Sequence, residues 1–244
     1  MSLFLLMSRC PVPDLSLLDW LPVASNVPAF LGLPLGFAAY LKLLPPLGID
    51  RSVPMVNYSF AVRTVEQLNA RAAFWTKHGI VTGQPAPDRL TPISYRQVAA
   101  EMGVAYTPEF GNVAIQRAYG GWPPHLGSSL SLEVALVQQL VAVLGSQTDT
   151  YFFGSEDEGN YRWDTEGFPT DWLEQGKARD LVDLYQQERR WPTYTFAADR
   201  AWCLYQGEDQ ELVLGCSLTL AQQLLTHPTV EAWRLTVESA RLHS

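Results

Sequence analysis

The sequence has no long apolar run, and charged residues are few. Its 244 residues are 47% hydrophobic and 17% charged, with a mean hydropathy near zero. A membrane-spanning helix needs about 20 consecutive apolar residues, which no segment supplies. The first ten residues include a short apolar stretch, but they lack a preceding positive segment and a small-residue cleavage site. These absences indicate no signal peptide, and we expect a cytoplasmic protein.

Cysteine is scarce, with only Cys10, Cys203 and Cys216 in the chain. Their spacing does not match a zinc site, and an odd number of cysteines cannot all pair. Cys203 and Cys216 lie in two adjacent apolar runs, so a disulfide between them is one alternative. Reduced core cysteines are the favoured alternative, because a free cysteine in a reducing cell commonly behaves as a small buried hydrophobe.

Ligand-binding signatures are also missing. The glycine-rich residues 79–84 lack the Lys-Ser/Thr pair that follows the second glycine of a phosphate-binding loop. The acidic residues 156–160 lack the alternating ligands and the twelfth-position glutamate of a calcium loop, and an acidic hairpin turn explains them better. We therefore predict no cofactor and no metal, and the sequence favours a protein that is not an enzyme.

One histidine keeps an enzymatic alternative open. His125 lies in a Gly-Pro-rich loop and is followed by Ser128 and Ser129, whereas the other three histidines end helices or lie in the terminal tail. No Gly-x-Ser-x-Gly elbow surrounds these serines. The alternative function is a small-molecule hydrolase with a pocket between Trp122 and Ser129. It requires His125 to lie within hydrogen-bond reach of a carboxylate or hydroxyl.

The chain has fewer positive than negative side chains, which argues against nucleic acid as a partner. The net charge is −8, and an acidic surface repels phosphate backbones. Residues 95–104 resemble the first helix and turn of a helix-turn-helix motif. Pro108 and Gly111 interrupt the place of the second helix, and the segment is not basic, so a glycine-capped helix explains it without DNA.

Hydrophobic spacing and capping residues predict the regular elements. Capping boxes begin helices at Thr64 and Ser94, and Gly79 and Gly103 are placed to end them. The first of these helices carries Val65, Leu68, Ala72 and Trp75 on one face. Helical spacing is also present in Phe37, Tyr40, Leu41 and Leu44 and in residues 131–144 and 177–187, while residues 113–117 and 150–153 are typical of strands.

Residues 191–237 are the best-specified part of the chain. An apolar run at 201–205, a charged break at 207–211 and a second apolar run at 212–216 predict a hairpin. A helical pattern follows Ser217 and stops at His227, before a third run at 233–237. This order of elements predicts a C-terminal β-β-α-β unit.

The same block resembles a group of uncharacterised bacterial proteins known from actinobacterial genomes. The resemblance consists of an Asp-Arg-x-Trp strand (Asp199 to Trp202), a hairpin ending in glycine (Gly215), a Leu-rich helix and a Pro-x-x-Glu-Ala turn (Pro228 to Ala232). Residues 36–42 and the helix at 131–144 with the strand after it also fit. The sequence departs at Ala201 and Cys216, where the pattern has serine and glycine. The resemblance implies a shared fold and no activity.

The mixture of helices and strands predicts an α+β fold, with a mostly antiparallel sheet and helices packed on one face. We expect residues 1–244 to form a single domain. If the chain divides, a helix-rich part at 1–125 precedes a sheet-containing part at 126–244. The Gly-Pro-rich stretch near 120–127 is where such a boundary belongs.

Most of the net negative charge lies in one aromatic-rich segment, residues 151–175. This segment contains seven carboxylates and a single cation, Arg162. Aromatic and acidic side chains together describe a recognition surface, because Trp and Tyr give large contact areas at low entropic cost. We therefore predict a non-enzymatic binding protein that engages a basic protein, similar to immunity proteins by class analogy only. A homo-oligomer is also possible. The predicted binding residues are Glu156, Asp157, Glu158, Tyr161, Trp163, Asp164, Glu166 and Trp172.

Overall fold

A computed structural model of the chain describes residues 9–23, 29–56, 58–189, 191–206 and 212–236. The chain divides into two compact units. The first unit comprises residues 1–44 and 136–244, and the second unit comprises residues 45–135. The predicted single domain, and its alternative division after residue 125, stay predictions.

The described residues contain six α-helices and seventeen strands. The helices are α1 (Val65–His78), α2 (Tyr95–Met102), α3 (Asn112–Tyr119), α4 (Leu130–Leu144), α5 (Asp180–Glu188) and α6 (Leu218–Leu225). The strands are β1 (Cys10–Pro11), β2 (Ala29–Phe30), β3 (Leu33–Pro34), β4 (Ala39–Leu43), β5 (Leu47–Ile49), β6 (Ile80–Val81), β7 (Gln84–Pro85), β8 (Thr91–Ile93), β9 (Leu126–Gly127), β10 (Asp149–Gly154), β11 (Arg162–Trp163), β12 (Pro169–Thr170), β13 (Trp172–Lys177), β14 (Tyr194–Ala197), β15 (Cys203–Gln206), β16 (Leu212–Cys216) and β17 (Ala232–Leu235).

The first unit is built on an eight-stranded antiparallel sheet with the order β1-β13-β10-β14-β15-β16-β4-β17. The predicted α+β fold with a mostly antiparallel sheet is therefore confirmed. The C-terminal β-β-α-β unit is formed by β15, β16, α6 and β17. Its last strand pairs with β4, which lies between β16 and β17 in the sheet. The charged break predicted at 207–211 lies outside the described residues.

Helices cover one face of this sheet. Strand residues Leu41, Leu43 and Leu214 are almost completely buried in one cluster with Leu140 of α4 and Leu224 of α6. Leu41 and Leu214 lie opposite each other in register, so the cluster begins as a cross-strand pair and continues into the helices. The hydrophobic effect of this burial holds the helices on the sheet.

The N-terminal segment covers the other face. Leu18, Leu21 and Leu33 pack there against Phe153 and Phe196, and all five side chains are buried. Both faces of the central strands are therefore apolar, which explains why those strands are nearly continuous hydrophobic runs in the sequence.

The helix predicted from Phe37, Tyr40, Leu41 and Leu44 is wrong, because this stretch contains strand β4. Its buried residues Ala39, Leu41 and Leu43 alternate along the strand, while Tyr40 faces the opposite cluster. Apolar residues on both faces of a strand produce spacings of three and four that imitate a helix.

The strand predicted at 113–117 is also wrong, since residues Asn112–Tyr119 form helix α3. The β-branched Val113 and Ile115 favour a strand locally, but Ile115 is fully buried and Gly120 ends the helix in the left-handed conformation. The helix predicted at 177–187 begins three residues later, because Lys177 is the last residue of β13. The helices predicted at 65–78, 95–102 and 131–144 are confirmed, with both capping boxes formed.

The second unit has a three-stranded antiparallel sheet with β5 between β8 and β9. After β5, the buried Asp50 accepts hydrogen bonds from the backbone nitrogen and hydroxyl of Ser52. Nη2 of Arg89 lies 2.9 Å from the second oxygen of Asp50. This buried carboxylate is therefore paired with a cation and serves to hold the loop after β5.

The two core cysteines lie on opposite faces of the main sheet. Cys203 is opposite Gly215 in register, so Cys216 points to the other face, and the two thiols belong to different apolar clusters. All three cysteines are free, which confirms the reduced alternative.

We expect a single thiol of the folded protein to react with Ellman's reagent. Burial raises the pKa of Cys203 well above its usual value and that of Cys216 to about 11, so both are shielded and remain thiols. Cys10 is exposed. Absorbance at neutral pH should report one reactive thiol in buffer and three in denaturant, and Cys10→Ser should remove the fast one. Fast reaction of two or three thiols would contradict the described core.

Candidate functional site

The segment between β10 and β13 carries the predicted site. It leaves the sheet at Gly154, turns at residues 156–159, forms the two-stranded hairpin β11–β12 and returns at Trp172. In that hairpin Trp163 lies opposite Pro169, so the indole stands on one face, and Asp164 and Phe168 lie on the other. The segment is thus an ordered connection between two strands of the main sheet.

Trp172 fixes the two ends of this connection, where it leaves and rejoins the main sheet. Its indole nitrogen donates a 3.0 Å hydrogen bond to the carbonyl of Asn160, and the ring is buried. Any Cβ at residue 154 would collide with that indole and with the Asn160 carbonyl, so only glycine permits this close approach. The Asn160 side chain in turn donates to the carbonyl of Trp191 at 2.6 Å.

Arg162 of the hairpin belongs to an ion-pair network. Arg162 donates to Glu174 at 2.7 Å and to Glu188 of α5 at 2.6 Å, and its guanidinium carbon lies 4.0 Å from the ring centroid of Trp172. Nε of Arg9 donates to the second oxygen of Glu174 at 2.9 Å. Two arginines and two glutamates thus balance each other and join the N-terminal segment, the hairpin and α5.

The network shifts the pKa values of its members. Burial alone would raise the pKa of Glu174, but the hydrogen bond and charge of Arg162, with those of Arg9, bring it below its usual value. Burial alone would lower the pKa of Arg162, but Glu174 and Glu188 raise it. Both groups are therefore charged at neutral pH, and the network is a fixed structural feature.

An open groove of about 440 Å³ lies beside this network. It is lined by Gly159, Tyr161, Arg162, Trp163 and Glu188. The rings of Tyr161 and Trp163 meet edge to face with centroids 5.2 Å apart, and Trp163 is 66% exposed. The charged part of the lining is the Arg162–Glu188 ion pair, which is neutral overall, so the exposed ring of Trp163 is the feature of the groove that suits an organic cation.

The predicted carboxylates divide into two groups. Asp164 accepts from the backbone nitrogens of residues 166 and 168, and Glu158 accepts from the hydroxyl of Tyr205. Asp171, which was not among the predicted binding residues, accepts from the backbone nitrogen of residue 156. These three side chains order the segment. The other group, Glu156, Asp157 and Glu166, consists of exposed side chains at the turn and at the hairpin tip.

The predicted aromatic residues also differ in their exposure to solvent. Trp163 is exposed and Tyr161 is half-buried, so both can touch a partner, whereas Trp172 is buried and packs against the guanidinium of Arg162. Phe168, which the sequence did not single out, is 62% exposed at the hairpin tip. We use the name acidic-aromatic surface for the side chains of this segment and of α5 that reach solvent on the two faces of the hairpin and at its turns, Glu156, Asp157, Tyr161, Trp163, Glu166, Phe168 and Glu188.

Glu188 and the structural role of Arg162 were missed by the sequence interpretation. Glu188 lies on α5, 26 residues from the arginine that it binds, and no local pattern connects the two. The position of Arg162 was visible as the single cation between Tyr161 and Trp163 in an acidic segment. Such an isolated charge of opposite sign indicates an internal ion pair.

The alternative site at His125 shows no hydrogen bond of the Nδ1 atom to a carboxylate or hydroxyl among the described residues. His125 is buried, and among the described residues its Nδ1 has no hydrogen-bond partner. Its ring meets that of Tyr119 edge to face at 6.0 Å, and burial lowers its pKa, so the neutral form is favoured. Ser129 instead bonds to Ser131 at 2.9 Å. The hydrolase alternative therefore gains no support from Nδ1 of His125 or from Ser129, and it stays a prediction.

Neither a membrane-spanning helix nor a metal-binding cluster is found among the described residues. Among the described helices, none is both long and apolar enough to span a membrane. The described ranges also contain no group of three or more His, Cys, Asp or Glu side chains arranged to hold a metal ion.

Comparison with known proteins yields no relative. No protein-family model, curated protein or solved structure matches the chain. The resemblance to a group of bacterial proteins therefore stays a prediction, and the function has to be argued from the site itself.

Proposed function

We propose that this protein is a non-enzymatic, cytoplasmic binding protein that uses the acidic-aromatic surface to hold a basic protein. The observation that carries the proposal is the exposure of two large aromatic side chains, Trp163 and Phe168, in a segment that also exposes Glu156, Asp157 and Glu166. Large exposed aromatic side chains cost solvation free energy in an isolated protein, and they are typical anchors of protein interfaces.

Charge supports a basic partner. The network of Arg9, Arg162, Glu174 and Glu188 sums to zero, so it does not offset the remaining carboxylates of the segment. Those six carboxylates give residues 151–175 their net negative charge. A positive partner surface is attracted to them over about 8 to 10 Å at physiological salt, and anionic partners are repelled.

The groove supports a specific mode of contact. An arginine or lysine side chain of the partner would lie on the exposed ring of Trp163 at the edge of the groove. Cation–π contacts contribute about 0.5 to 2 kcal/mol, and more when water is excluded. The groove is therefore suited to one cationic anchor on Trp163.

Rigidity supports binding without rearrangement. The hairpin is fixed by the Trp172–Asn160 hydrogen bond, the Asp171 cap and the arginine network, all at distances between 2.6 and 3.0 Å. Side chains that are already ordered lose less conformational entropy when they bind. Trp163 and Phe168 are thus presented by a supported hairpin.

The proposal is tested by titrating the full chain with a defined basic probe. The octapeptide (Arg-Gly)4 should bind with a Kd in the micromolar range, measured by calorimetry and by tryptophan fluorescence, whereas (Glu-Gly)4 should not bind. Tenfold more salt should weaken the binding of the basic peptide, because exposed charges contribute to it.

Equal affinity for the two peptides, or no binding of the basic one up to millimolar concentration, would contradict the proposal. Binding of the basic peptide without a change in tryptophan fluorescence would contradict the part that assigns contact to Trp163.

A further inference from the structure

His125 of the second unit lies in a stretch of five consecutive buried residues, 123–127, and is itself only 9% exposed. Its backbone carbonyl accepts a 2.9 Å hydrogen bond from the backbone nitrogen of Asp50. The next residue, Leu126 of β9, pairs with Ile49 of β5. The histidine is therefore built into the connection between β9 and the central strand of the three-stranded sheet.

The imidazole of His125 ends a series of aromatic contacts within this unit. Its ring meets the phenol of Tyr119 in α3 edge to face, with centroids 6.0 Å apart. Tyr119 contacts Phe60 at 6.0 Å, and Phe60 contacts Tyr58 at 4.8 Å. The hydroxyl of Tyr58 accepts a hydrogen bond from the indole of Trp75 in α1. A change at His125 therefore reaches α3 directly and α1 through the aromatic rings between them.

The charged groups on the elements around His125 already have partners of opposite sign. Glu101 of α2 binds Arg51 at 2.8 Å, and both side chains are open to solvent. Asp50, whose backbone binds His125, lies 2.9 Å from its cation Arg89. The nearby carboxylates are therefore compensated, and Nδ1 of His125 has no hydrogen-bond partner in the part of the chain that the structure describes.

Protonation of His125 would create a buried charge with an unpaired donor. A charged imidazole carries a proton on both nitrogens, and the one on Nδ1 would have no acceptor among the described residues. A buried charge without a hydrogen-bond partner is strongly unfavourable. Burial accordingly lowers the pKa of His125, while the charge of Glu101 opposes this shift and that of Arg51 adds to it. The folded unit therefore favours the neutral ring.

We infer that His125 is a pH-sensitive switch, whose protonation on mild acidification opens the contacts that β9 makes with β5 and α3. The folded pKa of His125 lies below its ordinary value of 6.5, so the open unit binds the proton more readily. Stability from the neutral ring is therefore present above pH 6.5 and is lost as the pH falls below it. A histidine that is protonated only in the open unit shifts the opening equilibrium by about tenfold at pH 5.5. This inference is independent of the acidic-aromatic surface.

Two measurements on the full chain test the switch. In a proton NMR titration, the imidazole Cε1 proton of His125 should report a pKa below 6.5. Hydrogen–deuterium exchange, corrected for the intrinsic rate at each pH, should show protection of β5 and β9 falling by about tenfold between pH 7.5 and pH 5.5. Protection of β14 and β15 in the first unit should change by less than about twofold, because solvated carboxylates titrate below this range.

His125→Gln removes the ionisable ring and should abolish the pH dependence of protection in β5 and β9. His78→Gln is the matched control, because His78 is a half-buried histidine of the same unit with a ring contact to Phe74, and it should leave the dependence unchanged. A wild-type His125 that titrates at or above pH 6.5 would overturn the inference, even where His125→Gln fails to fold. Equal pH dependence in wild-type protein and His125→Gln, or its loss in His78→Gln, would overturn it as well.

Discussion

Replacing Glu174 by glutamine is expected to lower the free energy of unfolding by about 2 to 3 kcal/mol. The carboxylate is only 12% exposed and binds two arginines, one of which, Arg9, is 7% exposed. Glutamine keeps the size of the side chain but leaves both guanidinium groups without their shared anion. The loss of a charged partner in a mostly buried network is costly, because the remaining charge is not rehydrated.

The pH dependence of this loss has a definite sign. The pKa of Glu174 is lowered in the folded protein, so its contribution to stability is fully present above the ordinary pKa of 4.5 and is lost as the pH falls through the folded value. The difference in unfolding free energy between wild-type protein and Glu174→Gln should therefore be constant near neutral pH and shrink below pH 4.5.

Urea denaturation at pH 7 and at several acidic pH values measures both effects. Glu166→Gln is the matched control, since Glu166 is an exposed glutamate of the same segment, and surface changes of this kind stay within about 0.5 kcal/mol. Equal stability of the two variants at pH 7 would show that the described network does not hold the hairpin.

Replacing Trp163 by alanine is expected to weaken binding of the basic peptide by about 2 kcal/mol, or roughly thirtyfold, with little loss of stability. The indole is 66% exposed and its described ring contact is with Tyr161, so the fold does not depend on it. In the complex it would supply both buried apolar area and a cation–π contact. Thermal unfolding and calorimetry separate the two effects.

Leu35→Ala is the control for Trp163→Ala. Leu35 is 59% exposed and lies in the first unit, outside the acidic-aromatic surface. Its replacement removes a comparably exposed apolar side chain and should leave peptide affinity within a factor of two. If Trp163→Ala and Leu35→Ala bind the peptide equally well, Trp163 is not an anchor.

The fold was largely predictable where local signals and tertiary structure agree. Thr64, Ser94 and the glycines at 79 and 103 determine helix ends through backbone hydrogen bonds, which depend on neighbours in the sequence. The apolar runs around Leu204 and Leu214 are short and bounded by polar residues, and they became adjacent strands of the sheet.

The failures occurred where partners from elsewhere in the chain decide the structure. Strand β4 is covered on both faces, by Leu140 and other helix residues on one side and by aromatic residues of the N-terminal segment on the other. The alternation of buried and exposed residues that would identify β4 as a strand was therefore not visible in its sequence. Ile115 is strand-like in isolation, but its burial at 0% exposure depends on α3 being a helix.

The sequence supplied candidate residues for the site but not their arrangement. The sequence identified Glu156, Asp157, Trp163 and Glu166, which the structure leaves exposed. It did not distinguish them from Asp164, whose hydrogen bonds order the hairpin, because a carboxylate that accepts backbone nitrogens has the same sequence signature as a free one. Glu188 could be found only from the three-dimensional arrangement.

The most direct measurement of the proposed function compares two variants with the same net charge. One carries Glu156→Lys, Asp157→Lys and Glu166→Lys, and the other carries Asp19→Lys, Asp88→Lys and Asp183→Lys at exposed positions outside the acidic-aromatic surface. Each is titrated with (Arg-Gly)4 in the calorimeter at physiological salt. We predict that the first variant loses binding and that the second retains most of it. Equal affinities would show that overall charge, rather than this surface, attracts the peptide, and would contradict the proposed function.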